Sequence, residues 1–250
     1  LLTPFQVALD LIVKQIRHQM STRGFNFRQE LRRAAAPSVH LLPSTRQLKA
    51  MHTIIRNHLT PRDEFIFYSQ RVFRLLIEES LSLLPFAPLD VQTPTGSTFH
   101  GCCGATDIYA VSIVRAGSSF EPALQAVCKD VHLGKMLIQT DVRSGEPQLH
   151  FLSLPRRIGG GGNVLLLDAT IASGAAALMA IRVLVDHGVR PAQIVFVCLI
   201  AAPQGVWAVA HAFPEVRIVV SEIDEGLNDE FHIMPGIGNF GDRFFGTEEA

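Results

Sequence analysis

Little in this sequence points to a strongly charged partner. Its 250 residues carry 22 Lys and Arg against 23 Asp and Glu, a formal net charge of -1. The basic residues fall in short pairs such as Arg32-Arg33 and Arg156-Arg157 and form no stripe. Nucleic-acid binders gather basic charge on one face, so that class is set aside. Cysteine is scarce as well. Cys102, Cys103, Cys128 and Cys198 include no C-x-x-C pair, which argues against a structural zinc site and, at this length, against a disulfide scaffold. A reducing, cytoplasmic setting is therefore the expectation. One apolar stretch, Ile194–Phe213, is broken by Pro203-Gln204-Gly205. It reads as a buried strand followed by a helix, with no membrane span. No secretory signal pattern opens the chain, and no G-x-x-x-x-G-K-[ST] occurs, so P-loop kinase chemistry has no seat in this sequence. The chain starts without Met and inside a helical pattern, as a piece of a longer protein would.

What is present is material for one large core: 48% of the residues are hydrophobic and 18% charged,. Thr3-Pro4 opens an amphipathic helix through about Met20. Residues 21–45, Arg-rich and Pro-containing, read as a linker. This divides the chain into a helical extension over 1–44 and a main domain over 45–250. Thr60-Pro61-Arg62-Asp63 has the residues of a helix start, Thr60 as cap, for a helix running to about Leu83 and stopped by Pro85. After a loop the chain alternates. Strands are expected at Tyr109–Val114, Lys135–Ile138, Asn163–Leu167, Ile194–Ile200 and Val216–Val220. Helices are expected at Glu121–Val127, Gly174–His187 and Gln204–His211. Arg143-Ser144-Gly145 marks a turn in a projecting hairpin over residues 138–154. Continuous apolar strands alternating with helices imply an α/β fold, a doubly wound parallel sheet covered on both faces.

Ligands of such sheets bind beyond the carboxyl ends of the strands, and three features stand there. In Asp168-Ala169-Thr170-Ile171-Ala172-Ser173-Gly174-Ala175-Ala176, an acid follows a buried strand and is placed to accept sugar hydroxyls. The small residues after it let backbone N–H groups approach an anion at a helix N-terminus. A tight strand-to-helix turn capped by Ser173 is the plainer reading of the same residues. In Ser112-Ile113-Val114-Arg115-Ala116-Gly117-Ser118, an Arg followed by small residues suits a diphosphate, or simply a surface carboxylate. The run Pro235–Thr247 contains G-x-G-x-x-G at Gly236, Gly238 and Gly241. Only nine residues follow Gly241, too few for a dinucleotide fold. A loop wrapping a flat base fits better.

Together these stretches resemble the uracil phosphoribosyltransferase family over roughly residues 45–248. The similarity is closer still to the C-terminal domains of uridine–cytidine kinase-like proteins. Met51–Arg56, Arg62–Ser69 and Gly236–Arg243 match the latter pattern, and Ala201–Gly205 and Ile223–Asn228 support it. The resemblance implies a sheet of the type I phosphoribosyltransferase kind. It also implies transfer of ribose 5-phosphate from phosphoribosyl diphosphate to N1 of uracil, forming UMP in pyrimidine salvage. By carry-over, Asp168 and Arg115 are the catalytic residues. Phosphoribosyl diphosphate is bound by Arg115, Ala116 and Gly117, by Asp168, Ala169, Thr170, Ile171, Ala172, Ser173, Gly174, Ala175 and Ala176, and by Asn239. Ile233, Gly238, Asn239 and Phe240 meet uracil. Mg²⁺ arrives with the diphosphate, and the chain supplies no metal ligands. A homo-oligomer, commonly a dimer through the hairpin arm, and an upstream kinase domain are also implied. Three positions depart from the family pattern: Thr140 replaces an Arg, Asn239 an Asp, and Ala175 a Gly, which adds a Cβ tolerable only at negative φ. Two classes stay open, an active transferase and a degraded domain that binds nucleotide or uracil, or only dimerises.

Overall fold

Strand β8, Ile194–Ala201, is buried at every position, which is why its stretch reads as one unbroken apolar run. A strand with no polar face must be covered on both sides. The computed structural model, which describes residues 38–140 and 146–247, shows that cover. Seven strands form one sheet in the order β1-β9-β8-β7-β4-β5-β6. They are β1 (Val39–Leu41), β4 (Ile108–Val114), β5 (Val131–Thr140), β6 (Pro147–Ser153), β7 (Asn163–Ile171), β8 and β9 (Arg217–Ile223). All pairs are parallel except β5 with β6. Six residues separate those two strands, too few for a crossover connection, so they must run antiparallel.

Alternation along β7 divides the core. Val164 and Leu166 join one apolar cluster with helices α4 (Ala175–Asp186) and α5 (Pro203–Ala212). Leu165, Leu167 and Ala169 face the other, with α1 (Arg46–Arg56), α2 (Arg62–Ser82), α3 (Glu121–Val127) and α6 (Phe240–Phe245). This is the doubly wound α/β architecture. Among the described residues no helix is long and apolar enough to cross a membrane, and Ile194–Phe213 is a strand followed by a helix, as read.

The structure departs from the sequence reading in five places. Strand β1 lies within the stretch read as a linker and pairs with β9. Helix α1 went unread: Thr45 caps it by accepting from Leu48 N at 3.1 Å. Leu48, Met51, His52 and Ile55 form its buried stripe, a helical spacing that the His conceals. At α2, Pro61 takes the cap position, and the Thr60 hydroxyl donates instead to the Ile54 carbonyl at 2.6 Å. Finally, the two strands of the hairpin read over residues 138–154 are there, antiparallel, but they belong to the main sheet. Strand β6 is the edge of the main sheet, in register with β5 from Lys135–Ser153 to Thr140–Pro147. The separate hairpin is β2 (Phe86–Gln92) with β3 (Thr98–Gly104), in the stretch read as a loop. Both its strands are mostly exposed, so no alternation marks them. The expected helix at residues 3–20 and the Arg143–Gly145 turn lie outside the described residues.

Candidate active site

The order in which the strands are added reverses between the parallel neighbours β4 and β7: the chain goes from β4 outward to β5, and from β7 the other way to β8 and β9. Strand β4 lies between β5 and β7. The helix after β4 packs on one face of the sheet and the helix after β7 on the other. The carboxyl ends of these two strands therefore open a crevice, the usual ligand position in open α/β sheets. Arg115 follows β4 there, and Asp168 stands near the end of β7.

Glycine draws the two loops together. A Cβ on Gly117 would lie 2.2 Å from the Leu167 carbonyl oxygen. The loop after β4 thus rests directly on the β7 backbone, one residue before Asp168. From the other side, a Cβ on Gly205 of α5 would lie 2.3 Å from the Ala172 carbonyl oxygen. The turn Ala172–Gly174 is held between these contacts. Gly174 occupies the cap position of α4 in the left-handed region, at φ 86°, with no side chain of its own to cap the helix. Ser173 Oγ reaches Ala175 N only at 3.4 Å. First-turn amides of α4 thus remain directed at the crevice, where the helix dipole favours an anion. Ala175 has negative φ, where a Cβ is tolerated, and is 2% exposed.

Asp168 contributes a carboxylate to this corner. Part of the residue reaches the surface, yet its carboxyl is enclosed enough that burial pushes it up to about 7. The N–H groups of Ala169 and Thr170 pull the other way, Ala169 N donating to Oδ1 at 2.7 Å. Ala169 and Ile171 are buried and present only backbone.

A cavity of about 510 Å³ lies over the crevice. Its walls include Ala116 from the first loop, Thr170 and Ala172 from the second, and Ile233, Gly238, Asn239 and Phe240 from the third. Three stretches far apart in sequence thus meet in one cavity. The short hairpin β10 (Gly226–Leu227) and β11 (Ile233–Met234) forms its rim. Phe240 is 3% exposed and packs against Phe65, Phe73 and Phe244. Its ring closes the cavity wall from inside the core.

Arg115 is exposed at the mouth of the crevice and already has partners. It donates to Asp242 Oδ1 at 2.6 Å and to Thr247 Oγ1 at 2.9 Å. The Thr247 hydroxyl first, and then Arg115, hold the Asp242 carboxyl below the usual carboxylate range. Asn239 caps α6, accepting from Asp242 N at 3.3 Å, and its amide donates to Asp242 Oδ2. Sequence reasoning assigned no role to Asp242, Thr247, Arg56, Asp224 or Arg243. Their stretches were matched as motifs, but which side chains meet depends on the fold.

Comparison with known proteins agrees with this geometry. Residues 42–247 match the family model described as uracil phosphoribosyltransferase. The chain is 52% identical over 250 residues to uridine-cytidine kinase-like 1 of Mus musculus, covering 97% of this chain and 45% of that protein. It is 46% identical over 212 residues to uracil phosphoribosyltransferase of Dictyostelium discoideum, covering 85% of this chain and 98% of that one. A solved structure from Aquifex aeolicus matches with TM-score 0.75 at 26% identity, covering 85% of this chain and 100% of that one. The chain spans about half the length of the kinase-like relatives it matches.

Proposed function

Since the chain belongs to the uracil phosphoribosyltransferase family, we propose that it transfers ribose 5-phosphate from phosphoribosyl diphosphate to N1 of uracil. The products are UMP and diphosphate, and the reaction serves pyrimidine salvage in the cytoplasm. One observation carries this reading: the acid-bearing turn, the arginine loop and the Gly-rich loop converge on a single cavity at the switch point of the sheet.

In the reaction, the bond from the anomeric carbon to the diphosphate breaks ahead of bond formation to N1, whose proton is released to water. Positive charge develops on the ribose ring, and the protein works by position and electrostatics. Asp168 accepts the ribose hydroxyls. The backbone of Ala172–Ala176 cradles the 5-phosphate, with Thr170 and Ser173 beside it. Arg115, Ala116 and Gly117 face the leaving diphosphate, which brings Mg²⁺ as part of the substrate. Ile233, Gly238 and Phe240 border the base, and Asn239 lies between base and ribose. The β2–β3 hairpin, exposing Phe86, Leu89, Val91 and Phe99, is the arm through which we place a dimer.

A second reading, binding without turnover in the service of an attached kinase domain, is favoured by the partners of Arg115. Diphosphate shares that guanidinium with Asp242 and Thr247 and meets the Asp242 carboxylate, a like charge, beside it,. The test is UMP formation from radiolabelled uracil, phosphoribosyl diphosphate and Mg²⁺, against an Asp168→Ala control. UMP above the control is the expected result. No excess UMP, with a ligand-induced rise in melting temperature, leaves the binding reading alone.

A further inference from the structure

The Gly-rich loop is fastened to the rest of the molecule by an ion pair that touches none of the phosphate-binding backbone. Arg56, the last residue of α1, grips Asp224 with both guanidinium nitrogens, Nη2 to Oδ1 at 2.6 Å and Nη1 to Oδ2 at 2.8 Å. The same Nη1 donates to the Gly236 carbonyl at 2.8 Å. Gly236 N donates to Asp224 Oδ2 at 2.9 Å. Both backbone polar groups of one glycine are thereby committed to a single charge pair. Gly236 itself has φ 69°, and a Cβ there would lie 2.0 Å from the Ile233 carbonyl oxygen, so the loop crosses at contact distance. Asp224 is anchored in turn, its N–H donating to the Ala201 carbonyl at 2.8 Å, just beyond β9.

The pair is well shielded, with side-chain exposures of 19% for Arg56 and 2% for Asp224. A buried ion pair pays so much desolvation that stability alone gives a poor reason for it. Geometry gives a better one, because a bidentate fork fixes direction as well as distance. We infer that Arg56 and Asp224 are positioning residues that set the height and tilt of the Gly236–Asn239 backbone, so that it presents its edge to the base. The inference rests on the proposed reading of this loop as the wall that meets uracil. Neither residue lines the cavity, and both act through Gly236.

The experiment uses the full chain, with Arg56→Met, Arg56→Lys and Asp224→Asn, so that one folded variant suffices. Amide hydrogen exchange is followed over residues 235–241 and over the phosphate turn 168–176. Equilibrium binding is measured separately for uracil and for phosphoribosyl diphosphate with Mg²⁺. The expected result is exchange at least tenfold faster in 235–241 and unchanged in 168–176. Uracil affinity falls at least tenfold, while phosphoribosyl diphosphate affinity stays within twofold. Arg56→Lys, a point charge in place of a fork, falls between. Unchanged loop exchange in folded variants overturns the inference, and so does equal loosening of both segments, which marks a merely structural pair. A loop that loosens in a protein whose uracil binding is absent or unaltered upholds the loop-setting role and defeats the uracil reading instead.

Discussion

The two halves of the cavity, one proposed above to hold phosphate and the other the base, are built by different means. On the phosphate side, backbone packs on backbone. The Gly117 loop rests on the Leu167 carbonyl, Gly205 backs Ala172, and Asp168 is the single acid among small residues. On the base side, long side chains hold a loop with little regular structure. Arg56 and Asp224 grip Gly236, and Arg62 Nε donates to the Phe244 carbonyl at 2.9 Å. Arg243 donates to the carbonyls of Ile55, Ile237 and Asn57 at 2.7, 2.9 and 2.8 Å, its guanidinium 4.2 Å from the Phe65 ring centre. The first construction tolerates no added atoms, and the second no lost charge. A corner fixed by the sheet holds its shape through close packing. A loop fixed by arginines holds it through directional bonds that must stay satisfied.

The sharpest way to separate the halves is Asp168→Asn. Burial raises this carboxyl to about 7, so folding favours its protonated form. That contribution is complete below the unfolded value of 3.8 and is lost as pH rises through 7. At pH 8 the Asn variant is therefore expected to be more stable than the parent by roughly 2–4 kcal/mol, and about equal at pH 4. Transfer activity falls at the same time. Urea unfolding at both pH values checks this, and a stability gap independent of pH would contradict it.

On the base side the opposite pH dependence belongs to His52. The Ser221 hydroxyl gives its proton to the Leu199 carbonyl, so His52 Nε2 donates to Ser221 Oγ at 2.9 Å. Burial first, then Arg56, push the imidazole down to about 4, with Asp224 opposing. The unfolded chain takes up a proton at 6.5 that the native state refuses, so stability falls between pH 6.5 and 4, by roughly 3 kcal/mol in all. Measured in the Asp168→Asn background, this acid limb flattens in His52→Gln. A slope that survives the substitution assigns the effect elsewhere.

Gly117→Ala tests the backbone contact directly. With the new methyl 2.2 Å from a strand carbonyl, the loop must shift, at a cost of about 1–3 kcal/mol. The melting temperature falls by roughly 2–4 °C per kcal/mol. Gly104→Ala, with nothing within 4 Å, is the neutral comparison, and equal melting of the two proteins would show that the loop yields freely. The smallest effect is expected of Asn239→Asp. Asp caps a helix as well as Asn does, but it cannot donate to Asp242 and adds a like charge beside it. The loss of stability is small at this exposed site, with the Asp242 carboxyl titrating higher by NMR. An unmoved Asp242 titration would show that the 239 side chain turns away.

Sequence pattern carried the phosphate side further than the base side. Apolar runs separated by small residues mark strand, turn and helix over 163–187 because each strand is buried on both faces and each turn must be slim. Family resemblance then pointed to Arg115, Asp168 and the Gly-rich loop; their neighbours Ala116, Thr170 and Ala172 border one cavity with Gly238, Asn239 and Phe240, while Arg115 and Asp168 stand beside its wall. Helix α1 escaped, since His52 interrupts its apolar stripe. The β2–β3 hairpin escaped because exposed strands need no alternation.

By itself, the sequence determined the alternation of elements, the two-sided sheet and the slim turn at Asp168–Ala176, all of which follow from local burial and chain sterics. Tertiary structure alone decided that Arg115 faces Asp242 and Thr247, and that Arg56, 180 residues from Gly236 in the chain, holds the Gly-rich loop. Those are matters of which surfaces meet, and no local pattern encodes the partner of a side chain across a sheet.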